Sequence, residues 1–75
     1  MTDEETAWLR AVGLRIRLAR VTHSESQDQL GERANVSRVT VGSVERGEHP
    51  AAVTMYARLA RAVGLSLADL LGGAP

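Results

Sequence analysis

Apolar residues recur at helical spacing in the first part of the chain. They lie three or four positions apart, which is the spacing of one helix face: Leu9, Val12, Ile16 and Ala19. Thr2 and Glu5 precede them with the spacing of a capping box, in which each side chain bonds the backbone of the other residue. The pattern predicts a first helix that begins after Thr2 and ends near Val21.

A second apolar stripe runs along nearly the opposite face of this predicted helix. Its members are again three or four positions apart: Ala7, Ala11, Leu14, Leu18 and Val21. A helix with two apolar faces must be covered twice. The core covers one face, and the other is covered either by the short last helix or by a partner molecule.

Further helices are predicted from start and stop signals. Ser26 and Gln29 form a second capping box before a helix that ends about residue 34, and Ser37 can cap a helix over residues 38–46. Gly47 suits the left-handed position after that helix. A fourth helix is predicted over about residues 52–63, and Ser66 begins a short fifth one. No segment alternates with the period of a strand, so the predicted fold class is all-α.

Length and composition narrow the class of protein. The 75 residues fit a single domain spanning residues 1–75, and the absence of cysteine excludes disulfides and thiol chemistry. Neither a signal segment nor an apolar run long enough to span a bilayer is visible, so a cytoplasmic, nucleoid-associated protein is expected. No catalytic set, phosphate-binding glycine loop or metal-ligand spacing is discernible. We therefore expect no enzymatic activity, no metal, no cofactor and no small-molecule ligand.

Charge is distributed unevenly, although the net charge is zero. Several acidic residues lie near the two ends, whereas residues 13–65 carry eight arginines against five acids. All nine basic residues are arginine, which binds phosphates and guanine edges well, but biased coding composition would produce the same preference. The excess of positive charge in the middle of the chain is compatible with a nucleic-acid partner.

Residues 27–46 have the organisation of a helix-turn-helix, with two short helices joined by about three residues. Gly31 and Ala34 are small where the helices must approach each other, and Asn35 tolerates the left-handed conformation that a tight turn needs. Four apolar residues lie at inward-facing positions: Leu30, Val36, Val41 and Val44. The second helix of such a motif stands out from the surface and can enter a DNA groove.

The sequence closely resembles the Cro/cI-like (XRE-type) helix-turn-helix regulators. An ordered set of segments carries the resemblance, namely residues 13–20, 26–31, 34–38, 41–47 and 59–67, and it covers about residues 12–71. It implies a Cro/cI-repressor-like domain with the helix-turn-helix at its second and third helices. Three residues depart from the family pattern, and one of them is Ala19, which stands where the family usually has leucine. Asn35 replaces the usual turn glycine, and Gly42 lies within the recognition helix at a cost of about 1 kcal/mol against alanine.

The resemblance places four residues on the outward, base-reading face of the recognition helix: Arg38, Val39, Gly42 and Ser43. Arg38 can read a guanine edge through paired hydrogen bonds or, as readily, contact a phosphate. Val39 can meet a thymine methyl group, and Ser43 can contact either a base or a phosphate. Gly42 either permits close approach of the backbone to DNA or is a tolerated surface glycine.

By the same resemblance, three residues take phosphate-contacting positions: Gln27, Thr40 and Arg46. Gln27 begins the first motif helix, where side chain and backbone N–H can hold a phosphate together; the alternative is a plain polar helix-start residue. The resemblance also implies a buried structural ion pair between Arg20 and Glu45, which locks the recognition helix to the scaffold. The alternative for this pair is two solvated charges.

These features predict a sequence-specific DNA-binding transcription regulator, such as a restriction–modification controller, a phage-type repressor or a small developmental regulator. One recognition helix contacts few base pairs, so we expect a homodimer on a near-palindromic operator of double-stranded DNA. The first candidate for the dimer interface is C-terminal, Leu65, Leu67, Leu70 and Leu71, and the second is the outer stripe of the first helix. The alternative function is a protein-interaction module or antitoxin without strong DNA binding, which the zero net charge and the spare apolar stripe favour.

Overall fold

The computed structural model describes residues 1–48 and 50–72, and the regular structure in these ranges consists of five α-helices. In chain order they are α1 (Asp3–Thr22), α2 (Gln27–Ala34), α3 (Arg38–Arg46), α4 (Val53–Ala62) and α5 (Leu67–Leu71). The described residues include no strand. The all-α prediction is confirmed, and α2 with α3 forms the helix-turn-helix.

Local side-chain signals set the helix boundaries. Both predicted capping boxes are formed, since Thr2 and Ser26 each accept a hydrogen bond from the N–H three residues later and donate their own N–H to the side chain of that residue. Asn35 ends α2 in the left-handed conformation at φ 57°, and Gly47 ends α3 at φ 66°. A short polar residue and a glycine tolerate this conformation with little strain.

The core lies between α1, the helix-turn-helix, α4 and α5. Six of its side chains have almost no solvent exposure: Val12, Ile16, Leu30, Val41, Leu59 and Leu70. Trp8 packs against its edge, with its ring 6.4 Å from that of Tyr56 and nearly perpendicular to it, which is a favourable geometry for two aromatic rings. On α4, Leu59 is fully buried, whereas Val53 at the start of the helix is exposed.

A close crossing of α1 and α3 positions the recognition helix. A β-carbon at Gly13 would overlap the backbone carbonyl of Val44 and lie 2.6 Å from the carbonyl oxygen of Glu45. Gly47 allows a similarly close approach to the backbone of Arg10. Only glycine lets the two helices approach this closely, so α3 rests directly on the backbone of α1.

The burial of Leu70 removes this residue from the predicted C-terminal dimer interface. Leu70 is 0% exposed within the single chain, so it belongs to the core and has no surface left for a partner. Leu65, Leu67 and Leu71 are half-buried and pack against that core. The idea that the last helix covers the outer stripe of α1 is also wrong, because three members of the stripe are 50–58% exposed: Leu14, Leu18 and Val21.

Candidate nucleic-acid interface

The first residues of α3 present an exposed surface. Arg38 is exposed and Val39 is 72% exposed, although Val39 is apolar. Ser43, one turn later, is half-buried. Arg38 and Val39 border a shallow cleft that Gln27, Gly42 and Arg46 complete. The structure thus brings together residues from both helices of the motif.

Gly42 is less exposed than its predicted place on the outward face of α3 implied. Gly42 is buried. A β-carbon built there would lie 3.0 Å from Nη1 of Arg46 and 3.5 Å from Oε1 of Gln27. The two side chains therefore cover Gly42. Direct contact of the Gly42 backbone with DNA would require both to move aside.

Thr40 and Arg46, predicted to contact phosphates, already have partners within the chain. The hydroxyl of Ser37 accepts a hydrogen bond from the Thr40 N–H and donates one to the Thr40 hydroxyl at 2.9 Å. Nη2 of Arg46 lies 2.9 Å from a carboxylate oxygen of Glu48, and both side chains are more than half exposed. The hydrogen bond that Arg46 donates to Glu48 raises the pKa of Arg46, and a phosphate bound at Nη2 would compete with this carboxylate.

Arg20 and Glu45 form an ion pair beneath the recognition helix. Nε and Nη2 of Arg20 donate to the two carboxylate oxygens of Glu45 at 2.7 and 3.0 Å. The Glu45 side chain is 3% exposed and that of Arg20 is 13% exposed, and the paired hydrogen bonds raise the pKa of Arg20. Nη1 of Arg20 also donates to the carbonyl of Glu25 at 2.8 Å, so one guanidinium ties α1 to α3 and to the start of the motif.

Gln27 is joined to the same ion pair. Its side-chain Nε2 donates to Oε1 of Glu45 at 3.1 Å, and the side chain is half-buried. This contact links the first residue of α2 to the recognition helix. The sequence contains no local signal for it, because the two residues are 18 positions apart.

Two further arginines have structural roles that the sequence pattern did not indicate. Arg33 donates to both carboxylate oxygens of Glu25 at 2.6 and 2.8 Å and also to the carbonyl of Ala62 at the end of α4. Nη1 of Arg15 donates to the carbonyl of Leu70 at 3.0 Å and so fastens α5 to α1. These contacts join segments that are far apart in sequence, so periodicity and spacing cannot reveal them.

Within residues 1–48 and 50–72, no group of three or more His, Cys, Asp or Glu side chains could hold a metal ion. None of the helices in these ranges is long and apolar enough to cross a membrane.

Fold and site together define a helix-turn-helix domain. Helices of eight and nine residues meet at a three-residue turn with a left-handed asparagine, and the second helix carries an exposed face supported by a buried ion pair. This is the arrangement in which a recognition helix is presented to the major groove.

Comparison with known proteins agrees with this class. The profile of a family described as "Helix-turn-helix domain" matches residues 11–71. Among solved structures, the restriction–modification controller protein C.AhdI from Aeromonas hydrophila is 31% identical, with a TM-score of 0.78 over 83% of this chain and 94% of that one. The P22 c2 repressor, solved with a synthetic operator, is 32% identical, with a TM-score of 0.77 over 83% and 94% of the two chains.

A third similar structure is the clp gene regulator ClgR from Corynebacterium glutamicum. It is 28% identical, with a TM-score of 0.79 over 85% of this chain and 68% of that one. No curated protein sequence gives a significant match. The chain belongs to the helix-turn-helix regulators of the Cro/cI-like (XRE-type) family, as its motifs predicted.

Proposed function

We propose that this protein is a sequence-specific DNA-binding transcription regulator that inserts α3 into the major groove. The observation that carries the proposal is the exposed start of α3, held in place by the buried pair of Arg20 and Glu45. The similarity to a restriction–modification controller and to a repressor solved with its operator supports the same function.

Each residue of the interface has a proposed role. Arg38 pairs with a guanine edge, Val39 meets a thymine methyl group, and Ser43 contacts a base or a phosphate. Thr40 and Arg46 bind phosphates, together with the backbone N–H of Gln27 at the start of α2. Phosphate contacts orient the protein on the duplex, and base contacts supply specificity.

A salt titration with random duplex DNA tests the proposal. Binding that neutralises phosphates releases counterions, so the affinity must fall steeply and linearly on a log–log plot as salt rises. Arg46→Gln should make that slope shallower by about one, the contribution of one lost phosphate contact. Arg61→Gln, which removes an exposed arginine from α4, is the matched control and should leave the slope unchanged. Absence of salt-dependent binding would refute DNA recognition.

A protein-interaction module is the second candidate function. The exposed apolar stripe of α1 and the neutralisation of Arg46 by Glu48 favour it. Such a module would bind a protein partner and show little affinity for duplex DNA at low salt. The titration therefore separates the two functions.

We also propose that the working unit is a homodimer on a near-palindromic operator. A single recognition helix supplies too few base contacts for a specific site, and a two-fold axis doubles them. Since Leu70 is part of the core, the outer stripe of α1 supplies the larger exposed apolar surface, with Leu14, Leu18 and Val21 as its most exposed members. The half-buried Leu65, Leu67 and Leu71 form the second candidate interface.

A further inference from the structure

The side-chain amide of Gln27 lies over Gly42, on the surface of α3 that we propose to enter the groove. A β-carbon at Gly42 would be 3.5 Å from Oε1 and 3.7 Å from Nε2 of Gln27. The amide of Gln27 thus lies at van der Waals contact distance from the place where a side chain at position 42 would begin. A residue of α2 therefore supplies an amide to this part of the reading face, beside the guanidinium of Arg46 from α3 itself, whose Nη1 would lie 3.0 Å from the same β-carbon.

Glu45 determines which end of this amide points outward. Its Oε1 accepts a hydrogen bond from Nε2 of Gln27 at 3.1 Å, while Arg20 binds both oxygens of the same carboxylate. An ionised carboxylate has acceptors only, so the amide must turn its NH₂ group toward it. The reverse orientation would set the amide oxygen against a carboxylate oxygen, with no hydrogen between them.

The hydrogen-bonding groups that remain on Gln27 match adenine. The NH₂ group has two hydrogens and Glu45 uses one, which leaves one N–H donor beside the Oε1 acceptor. Glutamine binds adenine with this pair, donating to N7 and accepting from the N6 amino group. A phosphate offers acceptors only and would leave Oε1 without a partner.

We propose that Gln27, oriented by Glu45, reads an adenine at the base pair that faces Gly42. The inference rests on the proposed function and deepens it: Gln27 is a specificity-determining residue, and Glu45 is a positioning residue that acts through it. The side chain of Gln27 then recognises a base, and only its backbone N–H remains for a phosphate.

The test compares DNA sequences selected by the wild-type protein and by Gln27→Met, which keeps the side-chain length and removes the amide. The wild type should select adenine at one position that Gln27→Met no longer specifies. Affinity for the preferred site should fall about 5- to 150-fold, the usual range for one paired base contact. Affinity for random duplex should fall much less than affinity for the preferred site. Gln29→Met is the matched control, because Gln29 lies in the same helix and bonds the backbone of Ser26.

A modified base tests the contact at the level of atoms. Replacing the selected adenine with 7-deazaadenine removes N7, which should weaken the wild type severalfold and leave Gln27→Met unaffected. Glu45→Gln, checked for folding by circular dichroism, frees the amide to turn over. The adenine preference should then decline while the position read by Arg38 is unchanged.

Three results would overturn the inference. Uniform weakening by Gln27→Met with an unchanged selected sequence would make Gln27 a phosphate contact. An undiminished adenine preference in Glu45→Gln would remove the positioning role of Glu45. A wild-type protein that binds no duplex DNA would remove the proposed function as well, so the two failures are distinguishable.

Discussion

At the scale of single residues, the two arginines of α3, Arg38 and Arg46, differ in the contacts that they make within the chain. Nη2 of Arg46 donates to Glu48 at 2.9 Å, so a phosphate would compete with that carboxylate for the same N–H. Arg38 is exposed at the first position of α3 and borders the cleft that Gln27 and Gly42 line. This competition would lower the net gain from a contact of Arg46 with DNA, so we propose that Arg38 contributes the larger share of sequence recognition.

Arg38→Ala should therefore change specificity as well as affinity. We expect a loss of about 1–3 kcal/mol at the preferred site and a relaxed preference at one base position. Fluorescence anisotropy and selection from a random DNA library measure the two effects. Arg58→Ala on α4 removes the same charge from an exposed site and should change neither. If the selected sequence of Arg38→Ala were that of the wild type, Arg38 would be a phosphate contact.

At the scale of elements, two glycines inside helices have opposite surroundings. A β-carbon at Gly13 would collide with the rigid backbone of α3, whereas one at Gly42 would meet the flexible ends of Arg46 and Gln27. Gly13→Ala should destabilise the fold by about 1–3 kcal/mol, the usual cost of overpacking. Gly42→Ala should stabilise it by up to about 1 kcal/mol through helix propensity.

Denaturant unfolding of both glycine variants measures these changes in the free energy of unfolding. The pair serves as its own control, since each change adds one methyl group to a buried helical position. A Gly13→Ala variant as stable as the wild type would contradict the close crossing of α1 and α3.

The two ion pairs of the motif allow a similar comparison. Removing one partner of a buried pair strands the other charge, so Glu45→Ala should cost roughly 3–5 kcal/mol. The pair of Glu25 with Arg33 is more open, with the Arg33 side chain 49% exposed, and Glu25→Ala should cost about 0–1 kcal/mol. Thermal unfolding followed by circular dichroism separates the two variants. Equal melting temperatures for Glu45→Ala and the wild type would mean that the pair contributes nothing to the fold.

At the scale of the whole molecule, we predict a dimer with two recognition helices on one face of the duplex. Half-site centres should lie about 34 Å apart, one turn of DNA. Sedimentation at micromolar concentration and footprinting measure the two properties. A monomer that protects a single half-site would refute the dimer.

Substitutions on the two apolar surfaces then identify the interface. Leu18→Glu should abolish the dimer if the outer stripe of α1 forms it, and Leu67→Glu should do so if the C-terminal leucines form it. Leu70 cannot serve in this test, because its complete burial means that a charge there would unfold the chain. Circular dichroism of both variants distinguishes a lost interface from a lost fold.

The helices and their limits could be read from the sequence alone. The capping boxes at Thr2 and Ser26, the left-handed Asn35 and the final Gly47 act over a few residues, so neighbouring positions suffice to predict them. The family resemblance added the pairing of Arg20 with Glu45, two residues that only a known fold could connect.

The tertiary structure decided which apolar face is inside and which polar groups meet. Leu18 and Leu70 are the same residue type, yet one is 58% exposed and the other fully buried, because helical period defines faces and packing selects among them. Likewise, the cover of Gln27 over Gly42 depends on how closely α2 and α3 approach each other. Contacts such as that of Arg15 with Leu70, 55 positions apart, arise only when the chain has folded, since no local interaction brings those segments together.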